Sequence, residues 1–289
     1  MGMQAIIILA HKDFAHVTAL TKLLTSHFEV LVHIDKQAHI SPDEKKALIT
    51  AGARCFSFRA VHWGAWSVAE VSFLMLKEAL KNPKITYIHF ISGQDWPLQD
   101  ISHISSFYEH TNKIYMPYDA ANTVKKTGEP IIWWQKYYFN YDHLNRKTLF
   151  GKIFHRVSLV VQTLLRVNKF KRLGISFPLY AGSQWVDLPR DAAEYLVNYT
   201  DAHPNVEKMF VTGFCSDEFW MPTILVNSKF KNRIEQNNHR YIQFEKRNGS
   251  LPAILDMQDY EPIKHGDYYF GRKFSSPYSN QLIDKLNIK

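Results

Sequence analysis

The chain has 289 residues, 46% hydrophobic and 14% aromatic, enough to bury a substantial core in one large domain or two small ones. With 35 Lys and Arg against 27 Asp and Glu, its formal charge is +8, which favours anionic partners: nucleic acid, phosphate-bearing substrates or an anionic membrane surface. Two cysteines, Cys55 and Cys215, exclude a disulfide framework and suit a reducing compartment. No run reaches the roughly 18 apolar residues of a membrane-spanning helix, and no basic-then-apolar leader follows the Met1-Gly2 start.

The first predicted element is a continuous apolar run over residues 5–10, a strand buried on both faces, with His11-Lys12-Asp13 at its carboxyl end. Apolar residues then recur at helical spacing over 14–27. A second strand over 30–34 ends at Asp35-Lys36. This is a βαβ unit, and its right-handed crossover puts both polar strand ends on one edge of a parallel sheet. Nucleotide-binding folds place a ribose-reading carboxylate at such a position, although no G-x-G-x-x-G is present.

A third strand is expected over 53–58. A turn over 61–67 contains Trp63-Gly64-Ala65-Trp66-Ser67, with Ser67 as N-cap of a helix through Leu80. The two Trp side chains are either packing or one wall of a site. A fourth strand over 87–91 breaks at Ser92-Gly93, and Gln94-Asp95-Trp96-Pro97-Leu98 follows. Ligands of open α/β sheets bind at the carboxyl ends of strands. The competing reading is a loop whose Asp caps a helix starting near Ile101. Strands alternating with helices over the first hundred residues argue for a parallel α/β sheet.

Residues 115–141 are rich in aromatics with little periodicity and read as short strands and loops. Residues 146–172 read as one basic amphipathic helix, either lying on an anionic bilayer or exposing a solvated basic face. A Gly turn with Ser183 and Trp185 leads into a short strand, and Pro189 opens a helix. In Ser216-Asp217-Glu218, Ser216 caps a helix whose first turn holds two acids, which either favour the dipole or supply a general base. A strand over 240–244 precedes Lys246-Arg247. Near the end Arg272-Lys273 follow Gly271, a basic pair that suits a phosphate.

In order, Ile8-Leu9-Ala10-His11-Lys12, His33-Ile34-Asp35-Lys36, Trp63-Gly64-Ala65-Trp66-Ser67, Ser92-Gly93-Gln94-Asp95-Trp96-Pro97-Leu98, Ala181-Gly182-Ser183-Gln184-Trp185, Ser216-Asp217-Glu218 and Phe270-Gly271-Arg272-Lys273-Phe274 span nearly the whole chain. Together they resemble the core-2/I-branching β-1,6-N-acetylglucosaminyltransferase family, which includes the peptide O-xylosyltransferases. The resemblance implies an α/β, GT-A glycosyltransferase-like fold: a Rossmann-like nucleotide-binding sheet flanked by helices. It would be a single large domain over 1–289, with a nucleotide-sugar half (1–110) and an acceptor half (111–289). It also implies an inverting, metal-independent transfer of GlcNAc or xylose from a UDP-sugar to a glycan or lipid-linked glycan.

Residue by residue, the resemblance makes Glu218 the general base. Lys273 with Arg272 stabilises the leaving diphosphate. His11, Asp35, Lys36, Gly64 and Ser67 belong to the donor site, and Asp35 contacts the base or ribose. Gln94, Asp95, Trp96, Ser183, Trp185 and Asp217 shape the sugar and acceptor site. The family's second diphosphate cation falls on the stretch 243–249, at Lys246 or Arg247. No cofactor or metal is expected, and the sequence contains no Asp-x-Asp. Neither a membrane anchor nor a disulfide framework is seen, which implies a compact bacterial-type member in the cytoplasm or at the inner face of the cell membrane. The acceptor-determining region is 115–175, and 146–172 is the candidate membrane contact. The alternative is a non-catalytic glycan-binding protein on the same scaffold; no nucleic-acid module signature appears.

Overall fold

The computed structural model describes residues 2–126 and 128–289, so Met1 of the Met1-Gly2 start lies outside the described residues. The chain begins β1 (Met3–Ala10), α1 (Phe14–Leu24), β2 (Phe28–Ile34), α2 (Pro42–Thr50), β3 (Arg54–Phe56), α3 (Trp66–Leu80), β4 (Ile85–Ser92). β1 pairs in parallel with β2 on one side and β4 on the other, and β3 extends the sheet beyond β2. The alternation of a strand carries Ala5 and Ile7 into one core and Ile6 and Ile8 into the other. Helices cover both faces, which is why the run over 5–10 is apolar without a polar side.

Among the described residues the main sheet has seven strands. Beyond β4 come Asp187–Pro189, β6 (Ile114–Tyr115) and Ile234–Glu235. Asp187–Pro189 runs antiparallel to both its neighbours. A second, three-stranded sheet joins Arg240–Ile242, Phe270–Arg272 and β5 (Asp95–Pro97), with Arg272 directly opposite Asp95. The Rossmann-like sheet flanked by helices is thus present, and both sheets draw strands from either side of residue 110.

Several local expectations are corrected. Pro97 ends a strand rather than a loop, and Asp95 caps no helix: α4 (Ile101–Glu109) follows Asp100, whose side chain makes no capping bond. Ser67 is not an N-cap either, because α3 starts one residue earlier behind Ala65. The Ser67 hydroxyl instead accepts the His62 N–H at 3.0 Å. Ser216 lies in a 3-10 turn (Ser216–Glu218) and donates to Phe210 O at 2.6 Å.

The expected helix over 146–172 is two helices, Leu149–Leu164 and Lys169–Leu173, separated by a break at which Arg166 has φ 50°. Lys169 is not on a solvated basic face. It is buried, donates to Met209 O at 2.7 Å, and burial pushes its ammonium well below the usual lysine range. The helix α2 has no counterpart in the expected elements. Its signal was local, a Ser41-Pro42-Asp43-Glu44 capping box with both reciprocal bonds made.

The two sheets are locked together by one buried cluster. Arg240, on the small sheet, holds Asp187 of the main sheet through Nη2–Oδ1 at 2.7 Å and Nη1–Oδ2 at 3.1 Å. His89 on β4 and Tyr108 on α4 complete the carboxylate, each at 2.9 Å, and Gln4 of β1 meets the other His89 nitrogen. Burial alone would raise the Asp187 carboxyl, but Arg240 and then His89 bring it down to about 2.

A carboxylate lowered in this way stabilises the fold above its unfolded pKa of about 3.9 and loses that contribution as the pH falls toward its folded value. Urea titrations should therefore show stability dropping by about 2 kcal/mol between roughly pH 4 and 2 through this group. Asp187→Ala, which leaves Arg240 buried and unpaired, should cost about 3–5 kcal/mol at neutral pH. An unchanged urea midpoint in that variant would mean that the cluster does not hold the sheets together.

Candidate functional site

The carboxyl ends of β1, β2 and β4 open into a cleft of about 400 Å³. His11 directly follows β1, His33 lies on β2 with Asp35 just past its end, and Ser92 ends β4 with Gln94 two residues beyond. The turn at Val61-His62-Trp63 forms one wall. Trp185 and Arg272 close the other, and Tyr141, Asn145 and Lys147 arrive from the middle of the chain. Gly93 lets β4 turn directly over β1. A Cβ there would lie 2.9 Å from Val17 and 3.1 Å from Ala10, so its value is close approach.

Asp35 is nearly buried, and its Oδ1 accepts the N–H groups of Gln37 at 2.9 Å and Val61 at 3.2 Å. Those bonds fix the carboxylate at the cleft floor and tie the Trp63 wall to β2. Arg272 lies with its guanidinium 4.4 Å from the centre of the Trp185 ring. Its Nε is buried without a hydrogen bond and sits 3.6 Å from Asp95. Asp95 is already engaged by Ser92, accepting from its backbone N–H at 3.1 Å and from its hydroxyl. Burial lowers the Arg272 guanidinium, and Asp95 only partly opposes it.

Cations converge here. Burial pushes Lys273 below the usual lysine range, and Arg272, Lys12 and Lys147 push it further. His11 is lowered by burial and then Lys12, with Lys147 and Arg272 adding to the effect. Four side chains from three distant parts of the chain therefore form one positive region beside a cleft. Lys147 stands 5.3 Å over the Trp63 ring.

Of the expected site residues, His11, Asp35, Gln94, Trp185 and Arg272 line the cleft, and the others do not. Lys36 is exposed and borders a separate shallow pocket. Lys273 donates to Ser250 Oγ at 3.0 Å. Trp96 is buried beside His16, its indole N–H without a partner. Ser183 accepts the Trp185 N–H at 2.9 Å and so shapes the Trp185 turn. Arg247 is held by Asp256 at 2.8 Å and Asp259 at 2.7 Å, a cage of its own, and Lys246 is exposed. Lys147, missed as a site residue, lines the cleft in their place. Its position in the basic segment gave no sign that it turns inward.

The Asp217-Glu218 turn stands behind the Trp63 wall. Cys215, in the left-handed region at φ 51°, donates its N–H to Gly64 O at 2.8 Å. Glu218 Oε2 pairs with Lys126 Nζ at 2.7 Å. Asp217 Oδ1 is buried without a partner, and burial, reinforced by Glu218, pushes this carboxyl up to about 7. Gly64 sits at φ 76°, and a Cβ on it would lie 2.4 Å from the Phe214 ring. Gly64 and Ser67 thus support the wall from behind. Among the described residues, no group of three or more His, Cys, Asp or Glu side chains could hold a metal ion, and no helix is long and apolar enough to cross a membrane.

The family profile of the core-2/I-branching enzymes matches residues 6–264. The chain is 22% identical to the xylosyltransferase sqv-6 of Caenorhabditis briggsae, over 90% of this chain and 33% of the relative. It is 24% identical to the β-glucuronosyltransferase GlcAT14B of Arabidopsis thaliana, over 42% of this chain and 28% of the relative. The chain therefore spans about a third or less of the length of these relatives. Among solved structures, the apo bifunctional glycosyltransferase WbbM superposes with a TM-score of 0.43 at 10% identity, covering 94% of this chain and 45% of that one.

The packing at Gly64 makes a direct prediction. Gly64→Ala forces a methyl group into Phe214 at a backbone conformation that disfavours side chains, and should lower stability by about 1–3 kcal/mol. Thermal melts measure this. An unchanged melting temperature, with ligand binding lost, would assign Gly64 to a ligand contact instead.

Proposed function

The chain belongs to the core-2/I-branching enzyme family, and from that premise we propose that it transfers a sugar from a UDP-linked donor to a glycan hydroxyl, inverting the anomeric centre without a metal. The observation that carries this reading is the convergence of Arg272, Lys273, Lys12 and Lys147 beside the cleft, where Asp95 acts on Arg272 and Asp35 on the neighbouring His11. A diphosphate is the anion that neutralises such a cluster. Departure of UDP needs stabilisation where its charge develops, and cations held beside the cleft supply it.

In this reading the nucleoside lies across the ends of β1 and β2, with Asp35 at the base or ribose. The diphosphate meets the cations, and the sugar, GlcNAc or xylose, faces Gln94 and Trp185. The acceptor oxygen attacks the anomeric carbon as its bond to the diphosphate breaks, and the hydroxyl proton passes to Glu218. Asp217, raised to about 7 by burial and then Glu218, is the rival base. The pairing of Glu218 with Lys126, away from the cleft lining, favours a second reading, a glycan-binding protein without turnover. Donor hydrolysis separates the two: a glycan binder releases no UDP from any UDP-sugar.

UDP should bind in excess EDTA by calorimetry, and Arg272→Ala or Lys273→Ala should each weaken it by about 1.5–3 kcal/mol, the range for hydrogen bonds to charged groups. Binding that vanishes on chelation and returns with manganese would overturn the metal-independent reading. Glu218→Gln should keep UDP affinity and cut transfer by roughly 10²–10⁴, the usual contribution of general-base catalysis. If Glu218→Gln turns over normally while Asp217→Asn at unchanged stability does not, Asp217 is the base.

A further inference from the structure

The helix Leu149–Leu164 has its polarity inside out. A surface helix normally turns its apolar stripe to the core and its polar face to water. Here Leu149, Phe150, Ile153, Val157, Val160 and Leu164 form a stripe along the outside, with Leu149 75% and Leu164 76% exposed. The inward side is tied down largely by polar bonds. His155 reaches Glu129 at 2.9 Å and Tyr141 OH at 2.6 Å. Gln162 holds both the N–H and the C=O of Tyr138, at 2.8 and 2.9 Å. Thr163 meets Tyr137 OH at 3.0 Å. These contacts fix the direction in which the helix faces, so its apolar stripe is held outward by the fold itself.

Charge identifies what the stripe meets. Between Asp142 and Asp187 the sequence holds no Asp or Glu, whereas Lys152 and Arg156 are exposed on the helix, and Arg166, Lys171 and Arg172 are exposed just beyond it. A second copy of the chain would bring these cations against themselves. An anionic lipid surface accepts both features at once, burying the apolar side chains at the acyl boundary and pairing the cations with headgroups.

We infer that residues 149–172 dock this protein on an anionic bilayer, with the outward stripe of the Leu149–Leu164 helix entering the headgroup boundary. Tyr141, Asn145 and Lys147, which line the cleft, lead directly into the first turn of that helix. Docking therefore brings that side of the cleft to the lipid surface. Resting on the transferase reading, this makes the acceptor a lipid-linked glycan.

Flotation with phosphatidylcholine vesicles and with mixed phosphatidylcholine–phosphatidylglycerol vesicles tests the docking. The protein should float with the anionic vesicles roughly tenfold or more in preference to the neutral ones, less so as salt rises. The double variant Leu149→Glu/Leu164→Glu changes only exposed positions. It should keep the melting temperature and UDP binding and lose flotation by roughly tenfold or more. Negligible flotation with both vesicle types overturns the proposal. So does a dimer in sedimentation that this variant dissolves while vesicle binding is unaffected. Vesicle binding without any UDP binding would sink the transferase reading and leave the docking surface standing.

Discussion

The buried pair between Arg240 and Asp187 is the constraint on which the site depends. The main sheet alone would place Asp35 and His11 at its carboxyl edge, but no cation opposite them. Arg272 arrives because its strand is hydrogen-bonded to Arg240–Ile242 on one side and to β5 on the other. That three-stranded sheet is fixed to the main one where Arg240 crosses to Asp187, with Phe90 O also within 3.4 Å of Nη2. Burying two charges is costly unless every remaining donor and acceptor is met. Here His89 and Tyr108 meet the carboxylate, and Asn238 O and Phe90 O accept from the guanidinium while its Nε is left unmet, so most of the cost is offset and one geometry is selected.

The same logic runs in reverse at the cleft. Arg272 also has an Nε without a hydrogen bond, as Arg240 does, but its nearest carboxylate is 3.6 Å away and already engaged by Ser92. Arg240 is a cation whose partner is built into the fold. Among the described residues Lys273, Lys12 and Lys147 make no ion pair, and Arg272 has only the longer contact to Asp95. A protein tolerates such unbalanced charge where a ligand completes it, and the difference between the two arginines is what makes the cleft rather than the core the place to expect an anion.

The parts of this arrangement that were legible in the sequence are those in which local pattern and tertiary fate agree. The run Ile6-Ile7-Ile8 reads as a strand buried on both faces because it is one, and the polar residues at its end fall on the ligand edge because parallel crossovers have one hand. The small sheet was illegible as a sheet. Its strands have three residues each and pair across much of the chain, so no local period marks their partnership. Ser67 and Ser216 misled for another reason. Their hydroxyls suit helix caps, but tertiary partners, the His62 N–H and Phe210 O, claim them first. Helical spacing over 149–164 revealed a stripe without revealing which way it faces, since orientation is decided by Gln162 and His155 meeting polar groups of the 129–141 segment.

The two adjacent acids illustrate how far a single turn can divide chemistry. Asp217 and Glu218 follow a left-handed Cys215 whose N–H is held by Gly64, so the turn is registered on the Trp63 wall of the cleft. Neighbouring carboxylates in a poorly solvated turn cannot both carry charge without compensation. Lys126 supplies one counter-ion, and it sits on Glu218; Asp217, with an unpartnered buried oxygen, is the one driven up to about 7. The pair therefore presents one carboxyl that holds its proton near neutrality and one that faces a cation. Lys126 reaches that carboxylate from a short hairpin strand, Lys125–Lys126, paired with Glu129–Pro130, and Glu129 in turn anchors His155 of the outward-facing helix. The candidate base Glu218 and the outward-facing helix are thus supported by the same antiparallel pair of strands, one through Lys126 and the other through Glu129.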